Sequence, residues 1–182
     1  GGRGFESRQP PLVPLPPGCG FADTEGVTAH QHDSGEHSRV VRGVLQDLCG
    51  DLCGRLDGSG CVISRVVGDL LVDLVEFTPD ARRLQLGHGY LISDYPLTRE
   101  VLELREARAV SLHDEDPEPN EAKLLTELGF ESLLMLPLVV GDELWALVEI
   151  YRTGEKSFSE EDVVAIEPIL ATAADALLAA RS

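Results

Sequence analysis

Positive charge is scarce in this chain. Its 182 residues carry 15 Lys plus Arg against 32 Asp plus Glu, a formal net charge of −17. A nucleic acid or an anionic membrane would meet long-range repulsion, so neither is expected as a partner. Cysteine is scarce too. Cys19, Cys49, Cys53 and Cys61 are too few for a disulfide scaffold of this length and lack the paired spacing of a zinc ribbon. Reduced thiols are therefore expected, and no metal site. Cys49 and Cys53 stand a helical turn apart, but no nearby His or Cys completes a ligand set, which favours packing over metal. No apolar run approaches the roughly 18 residues that span a bilayer, and the first residues lack the short hydrophobic core of a secretion signal. The expectation is a cytoplasmic chain.

What is present divides into two parts. Residues 1–37 hold Pro- and Gly-rich "GGRGFESRQPPLVPLPPGCG" and polar "TEGVTAHQHDSGEH", neither with an apolar period, and are expected to be a disordered extension. His30, His32 and His37 read there as part of a solvated linker rather than a metal site. The pentapeptide Gly4 to Arg8 back-translates to GGG-TTC-GAA-TCC-CGN, which resembles the T-arm of a transfer-RNA gene, so translation is expected to begin nearer Val27. Residues 38–182 form the expected domain, a length that buries roughly 70% of the surface its unfolded chain exposes.

Within that domain Ser38 is placed to cap a helix whose stripe is Val41, Leu45, Leu48, Leu52 and Leu56. Two β-rich segments, Cys61 to Val67 and Leu70 to Phe77, flank Gly68-Asp69 as a tight antiparallel hairpin. A short strand near Leu84 to Leu86 is expected next. Then Pro96 opens a helix with Leu97, Val101 and Leu104 as its apolar edge. A strand at Ala109 to Leu112, an acidic loop, and a helix from about Asn120 to Leu128 closed by Gly129 follow. A second hairpin, Ser132 to Val140 and Glu143 to Arg152, turns at Gly141-Asp142. Ser159 with Asp162 makes a capping box for a last helix, whose seam is Val163, Ile166, Leu170, Ala173, Leu177 and Ala180. Pro168 should bend it, since a proline inside a helix costs about 3 kcal/mol.

The second hairpin, "LGFESLLMLPLVVGDELWALVEIYR", is apolar almost without interruption. A strand covered on one face alternates, whereas one covered on both reads as a continuous run. Both strands should therefore be central, with the terminal helices on one face and the excursion from Gly87 to Gly129 on the other. That leaves a pocket between sheet and irregular elements, where small molecules bind. Leu144, Ala146, Val148 and Ile150 are expected to face one way, and Trp145, Leu147, Glu149 and Tyr151 the other. Glu149 is the exception to the apolar run. Pairing with Arg65, or reaching solvent at the sheet edge, is favoured over a ligand role.

The order helix, hairpin, irregular middle, hairpin, long helix resembles a GAF domain from Ser38 to about Ala180, most closely in "LGFESLLMLPLVVGDELWALVEIYRTGEKSFSEED". The matching positions are Gly129, Ser132, Pro137, Gly141, Phe158 and Asp162. The resemblance implies an α+β fold with a central antiparallel sheet of five or six strands, N- and C-terminal helices on one face and a loop and short-helix pocket on the other. It also has finer features. "YLISDYP" is similar to the pocket loop of phytochrome GAF domains through Ser93, Asp94 and Pro96, and "LWALVEIY" to one of their strands. Glu149, Ile150 and Tyr151 stand where those domains place Cys-His-His, and no Cys follows Cys61 to tether a bilin. The cyclic-nucleotide signature of phosphodiesterase GAF domains is mostly missing, with Tyr151, Arg152 and Val163 in place of Asn, Lys and Glu. Methionine-sulfoxide reductases of this fold need pocket cysteines that are absent. His88 and His113 are the positions a haem would use, but polar surface roles are favoured for both.

The resemblance implies a regulatory module in signal transduction. The expected ligand-binding residues are Tyr90, Ser93, Asp94, Tyr95, Arg99, Trp145 and Glu149, and no cofactor is named by the residues. A small molecule there would shift the end helices across a homodimer, with Val41, Leu45, Leu48, Leu52, Leu170, Ala173 and Leu177 at the interface, and a separate protein would supply the output. The alternative is an interaction scaffold whose pocket is filled by its own side chains, with Leu91, Ile92, Trp145 and Leu147 bulky enough to fill it. No activated nucleophile or convergent base argues for catalysis.

Overall fold

A computed structural model describes residues 30–80, 84 and 89–181. It is built on a six-stranded antiparallel sheet in the order β3-β2-β1-β6-β5-β4. The strands are β1 (Gly60–Val67), β2 (Leu70–Phe77), β3 (Gly89–Leu91), β4 (Arg108–Ser111), β5 (Ser132–Val140) and β6 (Glu143–Arg152). The helices are α1 (His30–Leu56), α2 (Pro96–Leu104), α3 (Pro119–Leu128) and α4 (Glu160–Ala180). Both greasy strands lie inside the sheet, with β6 between β1 and β5 and β5 between β6 and β4. Two separate cores explain their composition. On one face Ile63, Leu134, Leu136, Ala146, Val148 and Ile150 pack against Leu45, Leu48, Leu52, Ile166 and Leu177 of α1 and α4. On the other, Val62, Leu133, Met135, Leu147 and Tyr151 pack against Ile92, Val101, Leu102 and Leu125 from the β3-to-α3 excursion.

Several expectations need correction. Helix α1 begins at His30, so Ser38 lies inside it rather than capping it. The early turns have no apolar period to read, but extending an existing helix is cheap compared with nucleating one. Residues 1–29, which carry the rest of the expected disordered extension, lie outside the described residues. The third strand is Gly89–Leu91; Leu84 is not in a strand, and 85–86 lie outside the described residues. Gly89 sits at φ +139, where a Cβ would fall 2.0 Å from the Leu71 carbonyl oxygen, so only glycine brings β3 this close to β2. Leu104 is exposed; Thr98, Val101 and Leu102 form the buried edge of α2.

The expected dimer seam closes within the chain. Leu45, Leu48, Leu52, Ala173 and Leu177 are all buried in its own core, with Val41 and Leu170 half-buried against it. At about 1.5–3 kcal/mol for each fully buried leucine, covering the sheet is the stronger use of that stripe. Trp145 also turns the other way. Val139 pairs with Leu144 and Leu138 with Ala146, leaving Trp145 as the extra residue of a bulge. The bulge reverses the alternation at this end of β6: Trp145 joins the helix-side core and Leu144 packs on the opposite face. Finally, α4 is long and apolar enough to cross a membrane by length and composition alone. It lies instead along the sheet through Ile166, Ala173 and Leu177. It is helical throughout, with Pro168 exposed on its outer side.

The start of α4 is fixed as the sequence indicates. Ser159 Oγ accepts from the Asp162 N–H while Asp162 Oδ2 accepts from the Ser159 N–H. Beneath this cap lies Arg152, 3% exposed. Its guanidinium donates to the carbonyls of Lys156 and Ser157 at 3.3 and 3.1 Å and to that of Leu56 at the end of α1. It also stacks 3.9 Å from the Phe158 ring centre and lies 3.8 Å from Asp162. One side chain thus joins the end of α1, β6 and the start of α4.

Candidate functional site

On the face opposite α1 and α4, a line of polar groups crosses an otherwise apolar core. Glu149, at mid-strand in β6, is 1% exposed. Its Oε1 accepts from the Tyr90 hydroxyl at 3.0 Å and the Tyr151 hydroxyl at 3.1 Å. Tyr151 projects from the same face two residues along and packs on Phe130, ring centres 5.0 Å apart. Tyr90 comes from β3, held over the sheet by its pairing with Leu71. Its ring meets Tyr95 edge-on at 4.7 Å. Glu149 makes no pair with Arg65, which instead bonds Glu143 and the Trp145 carbonyl.

A second carboxylate lies on the roof of this face. Glu121, in the first turn of α3, has no exposed surface. Its Oε1 accepts from the Thr98 N–H at 3.1 Å and from Thr98 Oγ1 at 3.4 Å. Its Oε2 is buried without a hydrogen-bond partner among the described residues. Local sequence sets its position: Pro119 opens α3 and the Glu118 side chain accepts from the Asn120 and Glu121 N–H groups, which aims the first turn of α3 at α2. Thr98 connects the two halves, since its hydroxyl also reaches Met135 Sδ at 3.4 Å and interacts with Tyr90. On the sheet, Ser64 donates to Asp73 at 2.9 Å, and the Asp73 charge adds to the field at Glu149.

Burial governs the protonation of Glu149, Tyr90 and Tyr151. Desolvation lifts the Glu149 carboxyl from 4.5 to about 7, against the opposing effect of its two tyrosine donors, and Asp73 adds a smaller push upward. The Tyr90 and Tyr151 hydroxyls are raised well above 10 by burial first and by Glu149 second. Around neutrality the cluster therefore holds neutral phenols around a carboxyl poised between its two forms.

Tyr90, Tyr95 and Glu149 are the sequence candidates that come together here. Ser93 and Asp94 are exposed: Ser93 is bound to Asp69 through Oγ at 2.7 Å and through its N–H at 3.0 Å, and the Asp94 carbonyl accepts from Asn120. Arg99 lines a separate cleft of about 410 Å³ with Asp69, Ile92, Glu103 and Leu144. Trp145 lies on the far side of the sheet. Sequence reasoning missed Tyr151, Thr98 and Glu121. Tyr151 carries a readable signal, since it lies two residues beyond Glu149 on one strand, but Thr98 and Glu121 join only through helix packing. His113 is a surface residue 3.4 Å from Glu131, and His88 lies outside the described residues. Cys49, Cys53 and Cys61 are buried in the helix-side core, away from this cluster.

The likenesses of the chain agree with this architecture. No curated protein sequence matches it. Among solved structures it is similar to the phycoerythrobilin-bound GAF domain of a cyanobacterial phytochrome, at TM-score 0.64 and 19% identity, covering 83% of this chain and 92% of that one. It is also similar to the GAF domain/HD domain protein from Geobacter sulfurreducens, at TM-score 0.61 and 18% identity over 75% of this chain and 91% of that one. A third likeness is the GAF domain of a two-component sensor histidine kinase from Bacillus halodurans, at TM-score 0.59 and 18% identity over 75% and 95%. The GAF domain family profile matches residues 41–177. With the sheet, the flanking helices and the covered second face all in place, the chain belongs to the GAF domain family.

Proposed function

We propose that this domain is a non-catalytic sensor that binds a small molecule rich in N–H donors against Glu149 and Glu121, and relays its binding through α1 and α4. The observation that carries this reading is Glu121 Oε2, a buried acceptor left without a partner among the described residues. Such an atom costs about 1–3 kcal/mol, a cost that a donor from a ligand removes. Amines, amidines and nitrogen heterocycles fit two carboxyl groups and two phenols. The bilins named for the phytochrome relatives carry donors of this kind, but no cysteine follows Cys61 to attach one from the loops of this face. The test is thermal stabilisation by a panel of nucleobases, polyamines and amino acids, beside native mass spectrometry of the freshly purified protein. A stabilising compound is expected, with its shift cut at least by half in Glu121→Gln and in Tyr90→Phe. A full, unchanged shift in both variants would remove the ligand from this site. A bare protein that responds to no compound would favour the scaffold reading; of the side chains expected to fill the space, Ile92 and Leu147 are buried on this face, whereas Trp145 lies on the other and Leu91 is exposed.

The relay part of the proposal needs a second copy on the outer faces of α1 and α4. Val40, Val164 and Leu178 are exposed there, and a groove of about 420 Å³ runs between the helices past Val44, Pro168, Ile169 and Thr172. Exposed apolar surface on a helix of such composition is better covered than solvated. Sedimentation should show a dimer that Val164→Glu with Leu178→Glu converts to a folded monomer. Unchanged sedimentation of the double variant would place any dimer elsewhere.

A further inference from the structure

The bulge that turns Trp145 to the helix side also brings the indole to a cavity on the face of the sheet opposite the polar cluster. It has a volume of about 650 Å³ and lies where the early turns of α1, β2 and the end of α4 meet. Val41, Leu45, Leu74, Val75, Leu177 and the indole form its apolar wall. Among the described residues, the polar ones around it are Arg39, Arg42, Arg181, His37 and Ser38, with no Asp or Glu. In a chain with 32 acids to 15 Lys plus Arg, a lining whose described residues include three arginines and no acid is a sharp local reversal of charge.

The indole is held between cations. The Arg65 guanidinium lies 5.0 Å from the ring centre and that of Arg181 at 5.8 Å, both within cation–π range. Arg65 and Arg181 share one counter-ion, Glu143, with Arg181 at 2.9 Å. Two positive charges thus meet one negative charge at the rim, and Arg39 and Arg42 add two more, with no acid among the described lining residues. Both guanidiniums hold the Glu143 carboxyl below its usual range, so it stays charged and leaves the rim net positive.

From this geometry we infer a binding site for an amphiphilic organic anion, with an aromatic or aliphatic body against Trp145 and Leu177 and its carboxylate, sulfonate or phosphate toward Arg42 and Arg181. The volume is in the range that holds small ligands. Because α1 and α4 supply opposite walls, an occupant would tie the start of one helix to the end of the other. This makes it a second input to the same helices, on the opposite face of the sheet from the polar cluster.

Trp145 is the sole tryptophan and reports on the cavity directly. The probes are 1-anilinonaphthalene-8-sulfonate and N-phenyl-1-naphthylamine, which has the same aromatic body without the sulfonate. The sulfonate is expected to bind one per chain, to quench Trp145, and to bind at least tenfold tighter than the neutral analogue. Arg42→Gln with Arg181→Gln should weaken the sulfonate tenfold or more and leave the amine unchanged. Should that variant not fold, the salt dependence of the wild type decides. At about 1 M salt, where the Debye length is about 3 Å, sulfonate binding should weaken severalfold and amine binding should not. Equal affinity for the two probes, sulfonate binding indifferent to both the substitutions and salt, or no quenching of Trp145 would each overturn the inference. Glu121→Gln should leave sulfonate binding intact, so failure at either site is separable from failure at the other.

Discussion

Arg152→Ala is expected to cost about 3–5 kcal/mol of folding stability, the range for removing one partner from a buried charged network. The residue is 3% exposed, and its loss would leave the carbonyls of Leu56, Lys156 and Ser157 without this donor. It would also remove the stack on Phe158 and open space beneath the capping box. Since domains of this kind are stable by about 5–15 kcal/mol, the change is a large share of the total. The measurement is the urea midpoint followed by far-ultraviolet circular dichroism. Arg152→Lys should recover less than half of the loss, because an ammonium group cannot present a planar fork to separate carbonyls. If the alanine variant loses under about 1 kcal/mol, as surface substitutions do, the three-way junction is not what holds α4 in place. The same junction explains the Phe-x-x-x-Asp spacing: Phe158 lies under the guanidinium, and Asp162 both caps α4 and faces Arg152.

The second large effect is a pH dependence that Glu149→Gln should abolish. Burial raises this carboxyl from 4.5 to about 7, so between those values the folded protein binds a proton that the unfolded chain has released. Stability therefore falls as pH rises through this window. The contribution is fully present below about pH 4.5 and lost once pH has passed about 7. At about 1.4 kcal/mol per pH unit, the loss amounts to about 3 kcal/mol. Glutamine keeps the acceptor for Tyr90 and Tyr151 and has no charge to desolvate. Stability curves of wild type and variant should therefore diverge from about pH 4.5 to pH 7, with the wild type falling more steeply. Parallel curves would mean that Glu149 is solvated or fully paired. Other acids titrate in the same range, so the difference between the two proteins carries the result.

Much of the architecture was legible because it rests on short-range rules. The two hairpins declare themselves through Gly68-Asp69 and Gly141-Asp142, whose glycines take φ of +61 and +62, where a side chain is unwelcome. Ser159 and Asp162 mark the start of α4, and Gly129, at φ +73, marks the end of α3. The continuous apolar run of β5 and β6 told of cover on two faces, and both cores are there.

The site was legible only in part. Glu149 shows in the sequence because one carboxyl interrupts an apolar strand, but its partners do not: Tyr90 lies 59 positions away, and only the close approach of β3 at Gly89 joins them. Nor does the sequence announce a bulge at Trp145, since one extra residue leaves no mark on composition while reversing which face each neighbour occupies. The helical stripes were visible as apolar faces, but a stripe looks the same whether it meets its own sheet or a second copy.

The sequence by itself therefore determined the elements, their order and the burial of the central hairpin, because turns, caps and apolar runs act over a few neighbouring residues. Tertiary structure alone decided which face Trp145 occupies, what receives the α1 and α4 stripes, and which groups surround Glu149 and Glu121. Those outcomes depend on strand register and on contacts between residues far apart in the chain, which no local pattern encodes.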